Sequence, residues 1–289
     1  MLVNMKEILS VANEKSFAVP AFNIGTCQIL KAVVECCEEK KAPVILAIHP
    51  KELAFQGDSA MAAMRDAAEK ASVPVCIHMD HSSTVEEILH AVRTGFTSVM
   101  IDASHESFEE NARISKQIVE MVHPLGISVE AELGTIGTTG NDAEGGTSEI
   151  IYTDPDDVVK FVQATGIDCL AIAIGTAHGI YPKGFKPELK LDLLTQIKKK
   201  AAVPLVLHGG SANPDEEIAE SVKRGINKIN ISSDIKDALY QELRKTLTND
   251  PKVREPFELY PEGIEAMKKV INHKIDLFNA ADKVKYYSL

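Results

Sequence analysis

Short segments rich in Val, Ile and Leu alternate along the chain with longer segments in which apolar residues recur every three or four positions. Short apolar segments of this kind predict β-strands, and the 3.6-residue period of the longer segments predicts amphipathic helices. Several of the helical segments begin at Ser, Thr, Asp or Pro and end at Gly, as capped helices do. Eight strands are predicted, at residues 18–22, 44–48, 75–79, 98–101, 128–132, 169–174, 205–207 and 228–231.

The strict alternation of strands and helices favours a parallel sheet built from βαβ units, and eight such units close a (β/α)8 TIM barrel. Three strand entries also resemble one another, KAPVILAIH, SVPVCIHMD and AVPLVLHGG. The residues after Ser232 continue as helix, with no linker or low-complexity segment before them or among them. We therefore predict a single barrel domain over residues 1–289, with additional C-terminal helices.

Composition narrows the range of partners. The formal charge of -11 and the absence of a basic stripe argue against nucleic acid or an anionic membrane as a partner. No apolar run approaches the roughly 20 residues of a membrane span, and the N-terminus lacks the pattern of a signal peptide. The five cysteines contain no CxxC pair, so we expect reduced, mostly buried thiols. These features favour a cytoplasmic enzyme that acts on small molecules.

Three histidines follow short apolar runs, in the contexts CIHMDHSS, LAIAIGTAHG and VPLVLHGG. Strand ends in a barrel can direct three imidazoles at one point and leave a coordination position open, as a catalytic metal site requires. A single polar residue at a strand end would usually be a cap, but here seven of the eight strands end in one. The set comprises Asn23, Asp80, His81, Asp102, Glu132, His178, His208 and Asn230, with His78 in a supporting role.

The loops after the seventh and eighth strands have the composition of a phosphate site. Gly209, Gly210 and Ser211 follow one strand, and Asn230–Ser233 lead from the other into a helix. In TIM barrels generally, exposed backbone N–H groups and a helix N-terminus at the loops after the seventh and eighth strands commonly bind phosphate. A phosphorylated substrate is predicted.

The runs MDHSS, VEAELGTIG, AIAIGTAHGIYP, PLVLHGGSA and KINISSD resemble, in order and spacing, the class II (zinc-dependent) ketose-bisphosphate aldolases. This family includes fructose- and tagatose-bisphosphate aldolases, and the resemblance extends over nearly the whole chain. It implies reversible cleavage of a phosphorylated ketose to dihydroxyacetone phosphate and an aldehyde such as glyceraldehyde 3-phosphate. It also implies one catalytic Zn²⁺ per subunit, a possible second metal or monovalent cation, and a homodimer or homotetramer.

The resemblance assigns roles residue by residue. His81, His178 and His208 would bind the catalytic zinc, and Asp80 would be the acid and base at the substrate C4 oxygen. Asp102 and Glu132 match positions that bind a second metal in some members. The substrate-binding residues would be Asn23, Gly179, Gly209, Gly210, Ser211, Asn230, Ile231, Ser232 and Ser233.

Two segments depart from the family pattern. Where the family has a loop glutamate that exchanges the proton at the ketone carbon, this chain has GTTGNDAEGG, with Gly140 at the expected place. Asp142, Glu144 or Glu149 could substitute, and we favour Glu144 because it lies in the Gly-rich segment. His49 and Pro50 stand where small residues are common and would reshape the wall facing the aldehyde half, and Ser232 is closer to tagatose-type enzymes. The sugar therefore stays open, and a class II aldolase that acts on a different ketose 1-phosphate is the alternative.

Two other functions fit part of the pattern. A metal-dependent barrel hydrolase would also use three histidines and an aspartate at strand ends. The predicted phosphate loops and the absence of a paired HxH after the first strand argue against it. A non-catalytic sugar-phosphate-binding subunit is the other alternative, and the presence of Asp80 together with all three histidines argues against that.

Overall fold

The computed structural model describes residues 1–140, 149–182 and 187–288. The strands are β1 Leu2–Val3, β2 Val19–Asn23, β3 Val44–Ile48, β4 Val75–Ser82, β5 Ser98–Ile101, β6 Ser128–Leu133, β7 Gly137–Thr138, β8 Cys169–Ile172, β9 Ala177–His178, β10 Leu205–Leu207 and β11 Ile226–Ile231. The α-helices are α1 Met5–Lys15, α2 Cys27–Glu39, α3 Pro50–Gln56, α4 Ser59–Lys70, α5 Val85–Thr94, α6 Phe108–Val122, α7 Pro155–Thr165, α8 Leu191–Lys200, α9 Asp215–Lys223, α10 Ser233–Asn249, α11 Pro256–Leu259 and α12 Pro261–Leu277.

Eight parallel strands close a barrel in the order β2-β3-β4-β5-β6-β8-β10-β11, and β11 pairs with β2 to complete the ring. The short strand β1 pairs with the start of β4, where Leu2 lies beside Val75. Helices surround the ring, and α11 and α12 follow the eighth barrel helix, α10. The predicted (β/α)8 barrel with additional C-terminal helices is confirmed.

The barrel interior changes from apolar to charged along its axis. At the N-terminal end, buried side chains of helix α1 pack on Val19, Ile45 and Val206 and close the barrel. Every second residue of a strand faces inward. The next inward layer, two residues beyond the apolar one, consists of buried polar side chains: His78, Glu130, His208 and Lys228. The next inward positions carry the polar residues of the strand ends. The apolar layer thus supports the charged layers above it.

A second core lies outside the ring, between the strands and the surrounding helices. Helix α5 illustrates why the sequence forms these helices: Thr84 and Glu87 form a capping box at its start, and Gly95 ends it with φ +90. Four of the five cysteines are buried and Cys27 is exposed, which agrees with the expectation of mostly buried thiols. Across the described ranges, we find no helix with the length and apolar character needed to cross a membrane.

Candidate active site

Asp80 and His81 are consecutive residues of β4, yet both reach the barrel mouth. Side chains of neighbouring strand residues normally face opposite sides. Here the pairing of β4 with β5 shifts register between Met79 and Ser82, and His81 has φ +98. A bulge of this kind redirects a side chain, and a positive φ at a non-glycine residue costs about 1–3 kcal/mol. The rest of the fold stabilises this strained conformation. As a result, the side chains of Asp80 and His81 both face the barrel mouth.

His178 is held by a small second sheet. Strand β7, in the loop after β6, pairs with β9, in the loop after β8, and Thr138 lies beside His178. The backbone N–H of Thr139 donates to the carbonyl of His178 at 2.9 Å. His208 directly follows β10. The three predicted metal-binding histidines therefore arrive from three different strands or loops at the C-terminal end of the barrel.

The three imidazoles converge. One nitrogen of each ring lies within 4.8 Å of the others, and His81 Nε2 is 2.8 Å from His208 Nδ1. The ring centroid of His81 is 5.3 Å from that of His178 and 4.5 Å from that of His208. All three rings are buried. This donor set fits zinc, since bonds of about 2.0–2.1 Å from three imidazole nitrogens to one ion need such a spacing.

The second nitrogen of two of these rings binds a carboxylate. His81 Nδ1 is 3.2 Å from Asp102 Oδ2, and His208 Nε2 is 2.7 Å from Glu130 Oε1. Such partners fix which nitrogen faces the centre. Burial lowers the pKa of His208 to about 4, so this ring is neutral, as a metal ligand must be. Burial acts in the same direction on His81, but the carboxylates of Asp80 and Asp102 raise its pKa to about 10. The surroundings of His81 thus favour a positive charge, which a bound cation would supply in place of a proton.

Asp80 is completely buried and held by two asparagines. Asn23 Nδ2 donates to Oδ2 at 3.1 Å, and Asn230 Nδ2 donates to Oδ1 at 3.0 Å. Burial by itself would raise the pKa of this carboxyl, but the positive charges of His81 and Lys228 hold it well below its usual range. Asp80 is therefore an ionised carboxylate of fixed orientation beside the histidine cluster.

Sequence reasoning missed a buried ion pair beneath this site. Lys228 Nζ lies 2.7 Å from Glu130 Oε2, with both side chains fully buried, and Glu130 in turn binds His208. Despite burial, the Lys228 charge keeps the pKa of Glu130 below its usual range. The available signal was the spacing of two residues between Glu130 and Glu132, and between Lys228 and Asn230, which places each pair on the same inward face.

His78, expected to have a supporting or packing role, lies on β4 in contact with three polar side chains. Its Nδ1 is 2.9 Å from Ser98 Oγ, and its Nε2 is 3.6 Å from Glu130 Oε2 and 3.8 Å from Asp80 Oδ1. Burial lowers the pKa of His78 to about 3, so the ring is neutral. It lies below the histidine cluster, between the carboxylates of Asp80 and Glu130.

Asp102 and Glu132 form a second group with His81, in which one ligand atom of each residue lies within 4.8 Å of the others. Burial raises the pKa of Glu132 well above its usual range, and the negative charge of Asp102 raises it further. Glu132 Oε2 is buried and has no hydrogen-bond partner among the described residues. A cation would lower this electrostatic cost, so the group fits the second metal that the sequence suggested.

The loop after β10 is compact enough to require its glycines. Gly209 has φ +60, and a Cβ there would lie 2.5 Å from the carbonyl oxygen of Ala177. A Cβ on Gly210 would lie 2.4 Å from Ile229 Cγ2. Gly179, in the loop after β9, also has a positive φ, of +95. Backbone without side chains therefore lines this part of the barrel mouth.

Asp234 joins the two predicted phosphate loops. Its Oδ1 accepts from the backbone N–H of Ala212 at 3.0 Å, and its own N–H donates to Ser211 Oγ at 3.3 Å. Ala212 has φ +57, a strained conformation that the Asp234 bond helps to hold. From helix α12, the buried Lys274 Nζ binds Asp234 Oδ2 at 2.8 Å. A C-terminal helix thus braces the loops after β10 and β11.

Helix α10 begins at the second of these loops. Ser232 is its N-cap residue, and Ser232 Oγ accepts from Lys236 Nζ at 2.9 Å. The N–H groups of the first turn of a helix attract anions, and a helix of 17 residues has a full macrodipole. The predicted residues Asn230, Ile231, Ser232 and Ser233 therefore lie together where a phosphate group can be bound.

The candidates for the loop acid differ in what the structure describes. Asp142 and Glu144 lie outside the described residues, whereas Glu149 is exposed at the end of the same loop. Gly140 has φ +87, which disfavours any residue with a side chain at that place. The segment 134–140 that leads to these residues is anchored by β7 beside His178.

Comparisons with known proteins agree with this geometry. The family model for class-II fructose-bisphosphate aldolase matches residues 3–283. A fructose-bisphosphate aldolase of Geobacillus stearothermophilus is 40% identical, with 98% of each chain covered. A fructose-bisphosphate aldolase of Thermus caldophilus is 36% identical, over 98% of this chain and all of that one. The crystal structure of the YdjI aldolase from Escherichia coli K12 superimposes with a TM-score of 0.85 at 34% identity, covering 98% of this chain and 100% of that one.

A closed (β/α)8 barrel whose mouth brings together three converging histidines, an ionised aspartate and Gly-rich loops is the arrangement of a metal-dependent barrel enzyme. The chain belongs to the class II fructose-bisphosphate aldolase family. It is an aldolase, a carbon–carbon lyase that cleaves a phosphorylated ketose, and zinc dependence is general in its family. The resemblance stated from the sequence is confirmed.

Proposed function

We propose that the chain cleaves fructose 1,6-bisphosphate or tagatose 1,6-bisphosphate reversibly to dihydroxyacetone phosphate and glyceraldehyde 3-phosphate, with zinc bound by His81, His178 and His208. One observation carries this proposal: three buried imidazoles converge beside the ionised Asp80, next to the Gly-rich loops. Fructose 1,6-bisphosphate is proposed because the Geobacillus and Thermus relatives are named fructose-bisphosphate aldolases. Tagatose 1,6-bisphosphate is the alternative because Ser232 is closer to tagatose-type enzymes.

Asp80 is proposed to move the proton of the C4 hydroxyl. In cleavage its carboxylate takes that proton as the C3–C4 bond breaks, and in condensation it returns the proton to the aldehyde oxygen. Asn23 and Asn230 hold the carboxylate in one orientation by their hydrogen bonds. Zinc, when bound, supplies a Lewis acid for the negative charge that develops on the ketone half.

The ketone half is proposed to be oriented by its phosphate group. Gly179, the loop Gly209–Ser211 and the residues Asn230–Ser233 would surround this group with backbone N–H donors and the N-terminus of α10. The joint formed by Asp234 keeps the two loops at a fixed separation. The phosphate end is thereby fixed relative to Asp80, as proton transfer in the bond-breaking step requires.

A substrate panel tests the proposal. Zinc-loaded protein is incubated with ketose 1-phosphates and with 1,6-bisphosphates of fructose and tagatose, and dihydroxyacetone phosphate is followed with a coupled dehydrogenase. We expect product from at least one bisphosphate and none after removal of zinc by a chelator. Activity confined to singly phosphorylated ketoses would refute the bisphosphate, and no product from any member of the panel would refute the aldolase assignment.

Glu144 is proposed to exchange the proton at the ketone carbon, because Gly140 leaves that role without the family acid. In Glu144→Gln we expect slower exchange of solvent protons into dihydroxyacetone phosphate, with zinc content and phosphate affinity nearly unchanged, since a loop acid binds neither group. Asp142→Asn and Glu149→Gln, made singly, test the other two candidates in the same loop, and we expect near-normal exchange in both. Wild-type exchange in Glu144→Gln would exclude this residue as the acid.

Three finer features complete the proposal. Asp102 and Glu132, with His81, would bind a second metal or a monovalent cation. The enzyme would assemble as a homodimer or homotetramer, which sedimentation analysis measures directly. Its location would be the cytoplasm, as for a glycolytic activity.

A further inference from the structure

His49 lies at the barrel mouth on the side away from the phosphate loops. It follows β3, which neighbours β4 in the ring and stands opposite β8, the strand before the loop of Gly179. Its ring centroid is 6.2 Å from that of His81, with the two planes tilted by 36°. The residue is only 5% exposed. A large polar side chain thus forms part of the wall beside the histidine cluster.

One nitrogen of this ring has a structural role. His49 is the N-cap residue of α3, and its Nδ1 accepts from the backbone N–H of Lys51 at 3.1 Å. Pro50 at the first helical position fixes the direction in which the chain enters the helix. Since Nδ1 accepts a hydrogen bond, the neutral ring carries its proton on Nε2. His49 is therefore an oriented hydrogen-bond donor and not only a cap.

The direction of the substrate follows from the two ends of the site. On the proposed function, the phosphate of the ketone half occupies the loops after β9, β10 and β11, and the bond that breaks lies near Asp80. Since Asp80 itself lies on β4, the aldehyde half then lies on the side of the ring where β3 and β4 end, away from the phosphate loops. His49 stands on this side, whereas the asparagines that hold Asp80 come from β2 and β11.

We propose that His49 is a specificity-determining residue that contacts the aldehyde half through Nε2–H. A neutral donor suits a hydroxyl oxygen, and the hydroxyl on the carbon next to the aldehyde is the group closest to the bond that breaks. The enzyme then selects α-hydroxyaldehydes. Selection is effective at a buried wall, because an aldehyde without that hydroxyl leaves the donor unpaired. This inference rests on the proposed function and adds the residue that selects the aldehyde.

Two substitutions separate the cap from the donor. The side chain of His49→Asn retains an acceptor near the place of Nδ1, and Asn is a favourable N-cap residue, so α3 should form normally. Its amide is too short to replace Nε2. In His49→Gln, the longer side chain places its NH2 group near the place of Nε2 and restores a donor.

The experiment measures condensation at a fixed concentration of dihydroxyacetone phosphate with glycolaldehyde and with acetaldehyde, which differ only in the α-hydroxyl. We expect the ratio of kcat/KM for glycolaldehyde to that for acetaldehyde to fall about tenfold in His49→Asn and to recover largely in His49→Gln. The KM for dihydroxyacetone phosphate, the zinc content and the Tm should match those of the wild type. If the role of His49 were only structural, the substitutions would change these three quantities.

A wild-type ratio in His49→Asn would overturn the inference, and so would an equal loss with both aldehydes. An equally low ratio in His49→Gln would show that a donor at this place is not what selects the aldehyde. Failure of the wild type to condense any aldehyde would instead refute the proposed function. The two failures are therefore distinguishable.

Discussion

Replacing Asp80 by asparagine is expected to lower kcat for aldol cleavage by about 100-fold to 10,000-fold, the range for loss of a positioned general base. The amide of asparagine has nearly the same shape as the carboxylate. Its oxygen can still accept a hydrogen bond from Asn23 or Asn230, but its NH2 group cannot accept one. The amide also cannot take a proton from the substrate. Circular dichroism and metal analysis should show a folded protein with its zinc. Turnover is measured in the coupled dehydrogenase assay.

Asp58→Asn is a suitable control, because this exposed carboxylate pairs with His90 on the surface and neither residue belongs to the candidate active site. It should retain wild-type turnover. If Asp80→Asn turned over at the wild-type rate, the proton would be moved by another group and the mechanism proposed for Asp80 would be wrong.

Loss of zinc is the expected result for His178→Ala and for His208→Ala, together with loss of detectable cleavage. Removing one of three protein ligands should weaken binding by more than the 10-fold to 100-fold typical for loss of a hydrogen-bond partner behind a ligand. Zinc per subunit is measured by atomic spectroscopy after dialysis. The wild type should retain one tightly bound ion.

His273→Ala provides the matched control, since this exposed histidine pairs with Asp215 on the surface. It should keep both zinc and activity. Stoichiometric zinc and full activity in both His178→Ala and His208→Ala would show that the site is misassigned. We also expect a lower Tm for His208→Ala, because the buried Glu130 loses the hydrogen-bond partner of its Oε1.

The sequence was sufficient to predict the barrel and its eight strands, because the periods of apolar residues repeat strongly and several helices begin at a capping residue and end at Gly. Three short strands were not predicted, since two residues contain no period; β9, which carries His178, is one of them. The prediction also ended the third strand at Met79, whereas β4 continues to Ser82. This extension depends on the positive φ of His81, which residue type does not encode.

The site residues show the same division. Polar groups at strand ends were identified, since strand ends of a barrel meet at one rim. Their contacts deeper in the barrel were not, because Glu130 and Lys228 lie in mid-strand and only the closed ring brings them within 2.7 Å. The joint between Asp234 and Lys274 was missed for a related reason: it links residues 40 positions apart along the chain, across two helices.

The Lys274 contact has a consequence for the cooperativity of the fold. Since this buried lysine holds Asp234, and Asp234 holds Ala212, helix α12 and the anion-binding loops should open and close as one unit in native-state hydrogen exchange. A ligand that binds the closed loops stabilises every segment that must be folded for them to form. Sugar phosphate should therefore protect backbone amides of α12, at a distance from any atom it touches, so that α12 belongs thermodynamically to the binding site.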